Sequence, residues 1–405
     1  MDSFAPQTDW TAASEAELDG VVELRRAIHR EPEIGLHCPL TTAKIKGALA
    51  GLPLEIHDSK TTTGFVAILR GGDSNGRTVL LRGDMDALPM QEETGLPFAS
   101  TIANAMHACG HDAHSAMLVG AARALCARRD QLPGSVVFMF QPGEEGYHGA
   151  RFMIEDGLLD IKRSDGAFAL HIMPNAPAGQ IVSRAGPLLA STDALNFTVR
   201  GKGGHAAMPH DAIDPIPVAC EIVTALNTFV ARQIPVTDPC VLSITRISGG
   251  SAYNIIPDAV TMLGTLRTLS ATTRARARDG LQRVAELVAM AHGCSCEVRI
   301  DDGYPVTMND PRAIDLVRDI AIGLGGEDAW QTMPTPMMGG EDFSYVLREM
   351  PGAMAFIGVA PAGADDVGVR PPLHNTHMTI DESVMARGVA MHCAFAERFL
   401  DAGFG

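Results

Sequence analysis

Hydrophobic positions along this chain switch between two spacings. Over residues 22–50 they recur every three to four positions, as on one helix face, until Glu31-Pro32-Glu33-Ile34-Gly35 interrupts them. Short apolar runs at 64–69, 79–81, 136–140 and 167–171 read as buried strands, and 111–128 reads as a helix. Strands alternating with helices predict an α/β domain whose mostly parallel sheet is covered on both faces. In such a sheet the chemistry belongs in loops at the strand ends.

The middle of the chain changes order. A strand at 194–200 is followed by a helix at 214–233, opened by Asp214-Pro215-Ile216-Pro217. Strands at 241–247 and 259–268, a helix at 271–291 and a strand at 296–300 come next. That β-α-β-β-α-β series predicts a ferredoxin-like unit. Beyond Tyr304 the α/β pattern returns, with a helix at 311–324, a turn at Gly339-Gly340, a strand at 355–359 and a final helix at 381–400. The expected organisation is one α/β domain, residues 1–185 and 305–405, interrupted by a smaller domain at 186–304.

Composition narrows the function classes. The chain has 405 residues, 46 % of them hydrophobic, enough for a core and against disorder. Its 48 acidic and 32 basic side chains give a formal charge of −16. That balance works against nucleic acid and anionic membranes, both of which bind through phosphate neutralisation. Residues 1–10 carry no basic stretch followed by an apolar run, and no apolar stretch reaches the roughly 20 residues of a membrane helix. A soluble, cytoplasmic protein is expected. Eight scattered cysteines read mostly as buried small hydrophobes rather than a disulfide framework.

Metal-capable residues concentrate at predicted strand ends and loops. They lie in Arg82-Gly83-Asp84-Met85-Asp86, in Met106-His107-Ala108-Cys109-Gly110-His111-Asp112-Ala113-His114, in Gly143-Glu144-Glu145, at His171 and in His374-Asn375-Thr376-His377. A mixed Cys, His and Glu set suits zinc or a similar divalent ion at a catalytic site. Cys-x-His at a helix start places two donors together, with the helix N-terminus favouring the thiolate. Glu144-Glu145 after a buried strand aims two carboxylates, one for metal and one for protons. Taken alone, each His also reads as an ordinary core or surface residue, and the glutamate pair as a solvated turn.

Taken together, these motifs resemble the dinuclear metal-dependent hydrolases of the aminoacylase and carboxypeptidase G type. The branch in question contains hippurate hydrolase, bacterial N-acyl-amino-acid amidohydrolases and plant auxin-conjugate hydrolases. The likeness runs from Leu24-Arg25-Arg26-Ala27-Ile28-His29 through Gly204-His205-Ala206-Ala207-Met208-Pro209-His210 to Met338-Gly339-Gly340-Glu341-Asp342-Phe343. It implies a metal-binding α/β domain with a ferredoxin-like satellite used for homodimerisation, higher oligomers being open. It implies two divalent ions, zinc or manganese before cobalt or nickel, held by Cys109, His111, Glu145, His171 and His374, with Cys109 bridging. Glu144 becomes the general base, and Asp86 a carboxylate that orients a ligand or the base. His205 becomes the oxyanion donor reaching across the dimer. Asn254, Arg267 and Gly340 fall to substrate binding, with Arg267 suited to a carboxylate.

The implied reaction is hydrolysis of the amide of a small N-acyl amino acid of the hippurate, N-acetyl or indole-acetyl type. N-acetyl-diaminopimelate deacetylation, or a carboxypeptidase or dipeptidase activity at the same site, is the alternative. Several positions depart from the family pattern. Gly143 replaces a usual Ala, Tyr147-His148 replace small glycines, and Thr376 replaces a usual Pro, while His377 offers a competing ligand. His107 and His114 flank the core motif and face either the site or solvent.

Overall fold

The computed structural model describes residues 9–73, 75–360 and 370–404, so most of the N-terminal stretch read for a leader lies outside the described residues. The chain divides into two compact units, Met1–Gly186 with Met308–Pro334 and Tyr345–Gly405, and Pro187–Thr307 with Thr335–Ser344.

The larger unit is built on an eight-stranded sheet. Its spatial order is Leu54–Asp58, Phe65–Arg70, Gly134–Gln141, Arg77–Asp84, Gly166–Pro177, Gly352–Ala360, Ile181–Ser183 and Trp330–Thr332. The four central strands are mutually parallel, while both strand pairs at the Leu54–Asp58 edge are antiparallel. Every residue of Gly134–Gln141 and Gly352–Ala360 is buried, so both faces of the sheet are covered. This explains the unbroken apolar runs of the sequence. Helices Trp10–His29, His111–Ala127 and Met385–Ala402 pack against one another beside the sheet. Trp10–His29 begins twelve residues before the predicted helical pattern, with Asp9 Oδ1 accepting from Thr11 N at 3.0 Å as its cap.

The smaller unit has strands Ser191–Arg200, Cys240–Gly249, Ala259–Thr268 and Ser295–Asp302, with helices Pro215–Gln233 and Ala271–Ala291. All sheet neighbours are antiparallel, in the order Cys240–Gly249, Ala259–Thr268, Ser191–Arg200, Ser295–Asp302. Numbered along the chain that order is 2-3-1-4, produced by two split βαβ units. The core of this unit joins Leu195, Phe197, Val199, Met262 and Leu266 of the sheet to Ile222, Phe229, Leu281 and Ala285 of the helices.

One boundary differs from the sequence reading. Thr335–Ser344, including Gly340, was expected with the α/β domain, yet belongs to the smaller unit. Its backbone is anchored there, Ala190 N donating to Met337 O at 3.1 Å and Gly339 O at 2.9 Å. A connection of this kind carries no hydrophobic period, so the pattern could not announce it. The main crossing back falls at Thr307/Met308, three residues beyond the predicted edge. Among the described residues, no helix is long and apolar enough to cross a membrane.

Helix pairing in the smaller unit yields a test. Gly280 sits inside helix Ala271–Ala291, where Ala has the better helix propensity by roughly 1 kcal/mol. A Cβ there would lie 1.9 Å from Phe229 Cζ, so overpacking opposes propensity. Gly280→Ala is expected to destabilise by about 1 to 3 kcal/mol in denaturant melts; an unchanged or raised midpoint would contradict the packing.

Candidate functional site

Parallel pairing sets the floor of the site. Asp84 at the end of Arg77–Asp84 is in register with Gln141 at the end of Gly134–Gln141, and Arg82 with Ala169, two residues before His171. The chain then leaves these strands into Met85-Asp86 and Pro142-Gly143-Glu144-Glu145. Asp86 ties the two exits together. Its Oδ1 accepts from Glu144 N at 3.0 Å and its Oδ2 from Glu145 N at 3.1 Å. The turn also needs Gly143, whose φ of 75° is left-handed and where a Cβ would meet Leu36 Cδ2 at 2.6 Å. A glycine in place of the family's alanine therefore answers a backbone demand.

A third element approaches from helix His111–Ala127. Gly110 precedes it at φ 81°, and a Cβ there would lie 2.2 Å from Ile172 Cδ1, so only glycine lets the helix start come this close. That approach delivers Cys109 and His111. The fourth element is the loop holding His374 at φ 62°, fixed by His374 N donating to Ala108 O at 2.8 Å.

Donor atoms of all five predicted ligands converge. Cys109 Sγ lies 3.5 Å from His171 Nε2 and 3.3 Å from His374 Nε2. Glu145 Oε1 lies 3.2 Å from His374 Nε2 and 4.0 Å from His111 Nε2. Two triads, Cys109 with His111 and His171, and Cys109 with Glu145 and His374, each keep their donors within 4.8 Å, and the thiol belongs to both. Glu144 joins His111 and Glu145 at the same spacing and is buried. His377, the competing ligand, turns elsewhere. Its Nδ1 lies 2.9 Å from Thr376 Oγ1 and 3.9 Å from Glu93 Oε2.

The ring tautomers follow from these contacts. His171 Nδ1 donates to Ile172 O at 2.7 Å, leaving the Nε2 lone pair facing Cys109. Ile172 N donates to His114 Nε2 at 2.9 Å, so His114 carries its proton on Nδ1 and gives it to Asp84 Oδ1 at 2.6 Å. Arg82 neutralises Asp84 through Nη1 at 2.5 Å. His114 is therefore a buried strut under the site, and neither it nor His107 faces solvent.

Electrostatics show what the donors need. Burial pushes the Cys109 thiol up against the pull of His111 and His374. Burial would also depress His111, but Asp84 and Cys109 outweigh it and hold the ring well above its usual value. Hydrogen bonds to Cys109 and Glu145 push His374 up to about 10. His111 is fully buried, yet neither ring nitrogen makes a well-aligned hydrogen bond, Asp86 Oδ1 lying 3.4 Å from Nδ1. Anionic and soft donors packed around an orphaned imidazole call for positive charge, and divalent cations of the zinc type meet that demand.

The remaining predicted residues lie in the smaller unit, in two places. Gly204–His205 pairs with Ile255–Ile256, and Ala206 N donates to Asn254 O at 3.1 Å, so His205 and Asn254 sit side by side and exposed. His205 Nδ1 accepts from Ala207 N at 3.0 Å, which leaves Nε2 as the N–H of the neutral ring. Arg267 stands near the far end of Ala259–Thr268, beside Gly340, where a Cβ would meet Thr192 Cγ2 at 2.3 Å and Arg267 Nη1 at 3.5 Å. From Ala259 to Arg267 an extended strand covers about 26 Å.

Asp84, Arg25, His29 and Asp112 stand within the quoted motifs, but the sequence assigned them no role. The signal was present in helix Trp10–His29, whose buried face is Val21, Leu24, Arg25, Ile28 and His29. Two charged side chains at helical spacing on an apolar stripe mark a buried network.

Known proteins agree with this architecture. A family model described as Peptidase family M20/M25/M40 matches residues 80–398. The thermostable carboxypeptidase 1 of Saccharolobus solfataricus is 37 % identical over 94 % of this chain and 95 % of its own. N-acetyl-L-cysteine deacetylase of Bacillus subtilis is 37 % identical over 94 % and 88 %. A solved dinuclear metal-binding peptidase of the M20 family from Bacillus subtilis superposes with a TM-score of 0.82 at 32 % identity, covering 96 % and 99 %. The chain belongs to peptidase family M20/M25/M40 and is a hydrolase acting on amide bonds.

Proposed function

We propose that this protein is a dinuclear metal amidohydrolase that releases an amino acid with a free α-carboxylate from its N-acyl conjugate. The observation that carries the reading is the Cys109 thiol shared by two donor triads, with Glu144 beside them. A thiolate common to two triads suits a bridging ligand, with His111, Glu145, His171 and His374 as terminal ones. Zinc suits this Cys, His and carboxylate set, and manganese, which the family resemblance favours, as well as cobalt or nickel, would also bind. Bound there, two divalent cations would acidify a water and polarise the scissile carbonyl.

The chain's own residues supply the rest. Glu144 takes the proton from the attacking water and passes it to the departing amine nitrogen. Asp86 keeps that carboxylate in place by holding the backbone of Glu144 and Glu145. His205 donates from Nε2 to the oxyanion, the Arg267 fork beside Gly340 receives the substrate carboxylate, and Asn254, which sits next to His205, reaches that substrate from the second subunit. The Bacillus deacetylase supports an N-acyl substrate, and the Saccharolobus carboxypeptidase supports a peptide with the same free carboxylate as the second reading.

A homodimer through the smaller unit is part of the proposal. His205 and Arg267 stand toward opposite ends of one strand, a separation that favours a site completed by two subunits. Cys240–Gly249 is an edge strand with Val241 and Ile247 exposed, and Tyr253 next to it is fully exposed. The cytoplasm is the proposed compartment, supported by eight free cysteines.

N-acetyl, N-benzoyl and indole-acetyl amino acids, alongside dipeptides, assayed after reconstitution with Mn²⁺ or Zn²⁺, separate the two substrate readings. Glu144→Gln should lose roughly 10²- to 10⁴-fold in kcat while keeping its bound metal; near-normal turnover would defeat the mechanism. His205→Ala should lose about 10²- to 10³-fold at unchanged metal content. Mixing the two variants under demonstrated subunit exchange should restore up to about a quarter of wild-type activity, since one of the two sites in a mixed dimer is then intact. Absence of rescue would sink the shared site.

A further inference from the structure

Helix Trp10–His29 buries charge at a point the mechanism does not use. Arg25 Nη1 lies 2.7 Å from Glu382 Oε1 and its Nε 2.9 Å from Asp112 Oδ2. His29 Nδ1 meets the same Asp112 oxygen at 2.7 Å, and its Nε2 meets Glu92 Oε1 at 3.2 Å. Signs alternate along this string, and the side chains of His29, Asp112 and Glu92 are 0 %, 0 % and 1 % exposed. A ring between two carboxylates donates from both nitrogens, so it is an imidazolium. Burial opposes that charge, but Asp112 first and Glu92 next raise His29 to about 9. The Phe98 edge at 5.6 Å and the His107 ring at 6.1 Å, centroid to centroid, flank it.

One carboxylate belongs to a segment that carries a donor of the site, and the other to a segment hydrogen-bonded to one. Asp112 follows His111 in the first turn of its helix. Glu92 precedes Glu93, whose N donates to Thr376 O at 2.9 Å and whose carboxylate accepts from Thr376 Oγ1 at 3.1 Å. Thr376 lies two residues beyond His374, whose own N is fixed to Ala108 beside Cys109. His29 thus links the His111 helix to the segment that holds the His374 loop.

We propose that His29 is a positioning residue for the metal pair: its two charged hydrogen bonds fix the His111 and His374 segments relative to each other, and metal affinity depends on that clamp. The inference rests on His111 and His374 being ligands. A role confined to stability would lower the melting temperature and leave the affinity of the folded protein unchanged.

The test needs no substrate. Full-length protein is stripped of metal, and Zn²⁺ or Mn²⁺ is titrated against a chromophoric chelator for wild type, His29→Gln, Glu92→Gln and Thr376→Val, with circular dichroism checking the fold. Glu92→Gln keeps an acceptor oxygen and removes one charge, and should weaken at least one of two ions roughly tenfold, with His29→Gln weakening it further toward a hundredfold. Thr376→Val removes the hydroxyl that meets Glu93 and His377 but keeps the bond from Glu93 N to Thr376 O, and should give the smallest loss. If His29→Gln does not fold, the other two decide. Wild-type affinity in the folded variants overturns the role of His29 alone, whereas a wild-type protein that binds no ion overturns the ligand assignment itself.

Discussion

Charge buried at the ends of the parallel strands must be neutralised inside the protein, and much of the larger unit is arranged around that demand. Breaking one partner of a buried ion pair typically costs about 3 to 5 kcal/mol, because the survivor has no water to turn to. Arg82 therefore accompanies Asp84, Arg25 and His29 accompany Asp112, and His114 is held neutral between Asp84 and Ile172 N. Cys109, Glu145 and the orphaned His111 are the groups whose demand these internal partners do not meet, and they are the groups that converge. The same rule that stabilises the fold thus marks where a cation belongs.

The sequence made the element order legible because both units obey simple periods. Fully apolar runs marked the central strands, and Asp214 before Pro215 marked a helix start that the structure caps through Ile216 N. What escaped were the short strands at one end of the sheet, Ile181–Ser183 and Trp330–Thr332, three residues each, too brief for a period to register. The Thr335–Ser344 segment escaped because its place is decided by two backbone hydrogen bonds to Ala190, which leave no side-chain signature.

For the site, chemistry was legible and support was not. Residue type marked the clusters, the family resemblance singled out Cys109, His111, Glu145, His171 and His374 within them, and their donors come together. The resemblance chose His374 over His377 by motif position, while the local geometry that turns the two rings apart, a left-handed backbone at 374 and a turn closed by Asn375 Oδ1, is a feature no spacing reveals. His148 shows the same limit. It holds φ 59° and lies 3.0 Å from Tyr345 Oη, whereas a pattern of residue types registers only a bulky substitute for glycine.

The Ala259–Thr268 strand has one further consequence. It carries Arg267 near one tip and leads from the His205 and Asn254 pair at the other, with a buried sheet core between them. Under the proposed roles, the strand is a rigid spacer that holds the Arg267 end of one site apart from the His205 and Asn254 end, which serves the other. Substitutions around Thr192 and Gly340 could then retune which acids are accepted without disturbing the other tip. Diversification of such an enzyme would proceed at one end of a strand while its chemistry is conserved at the other.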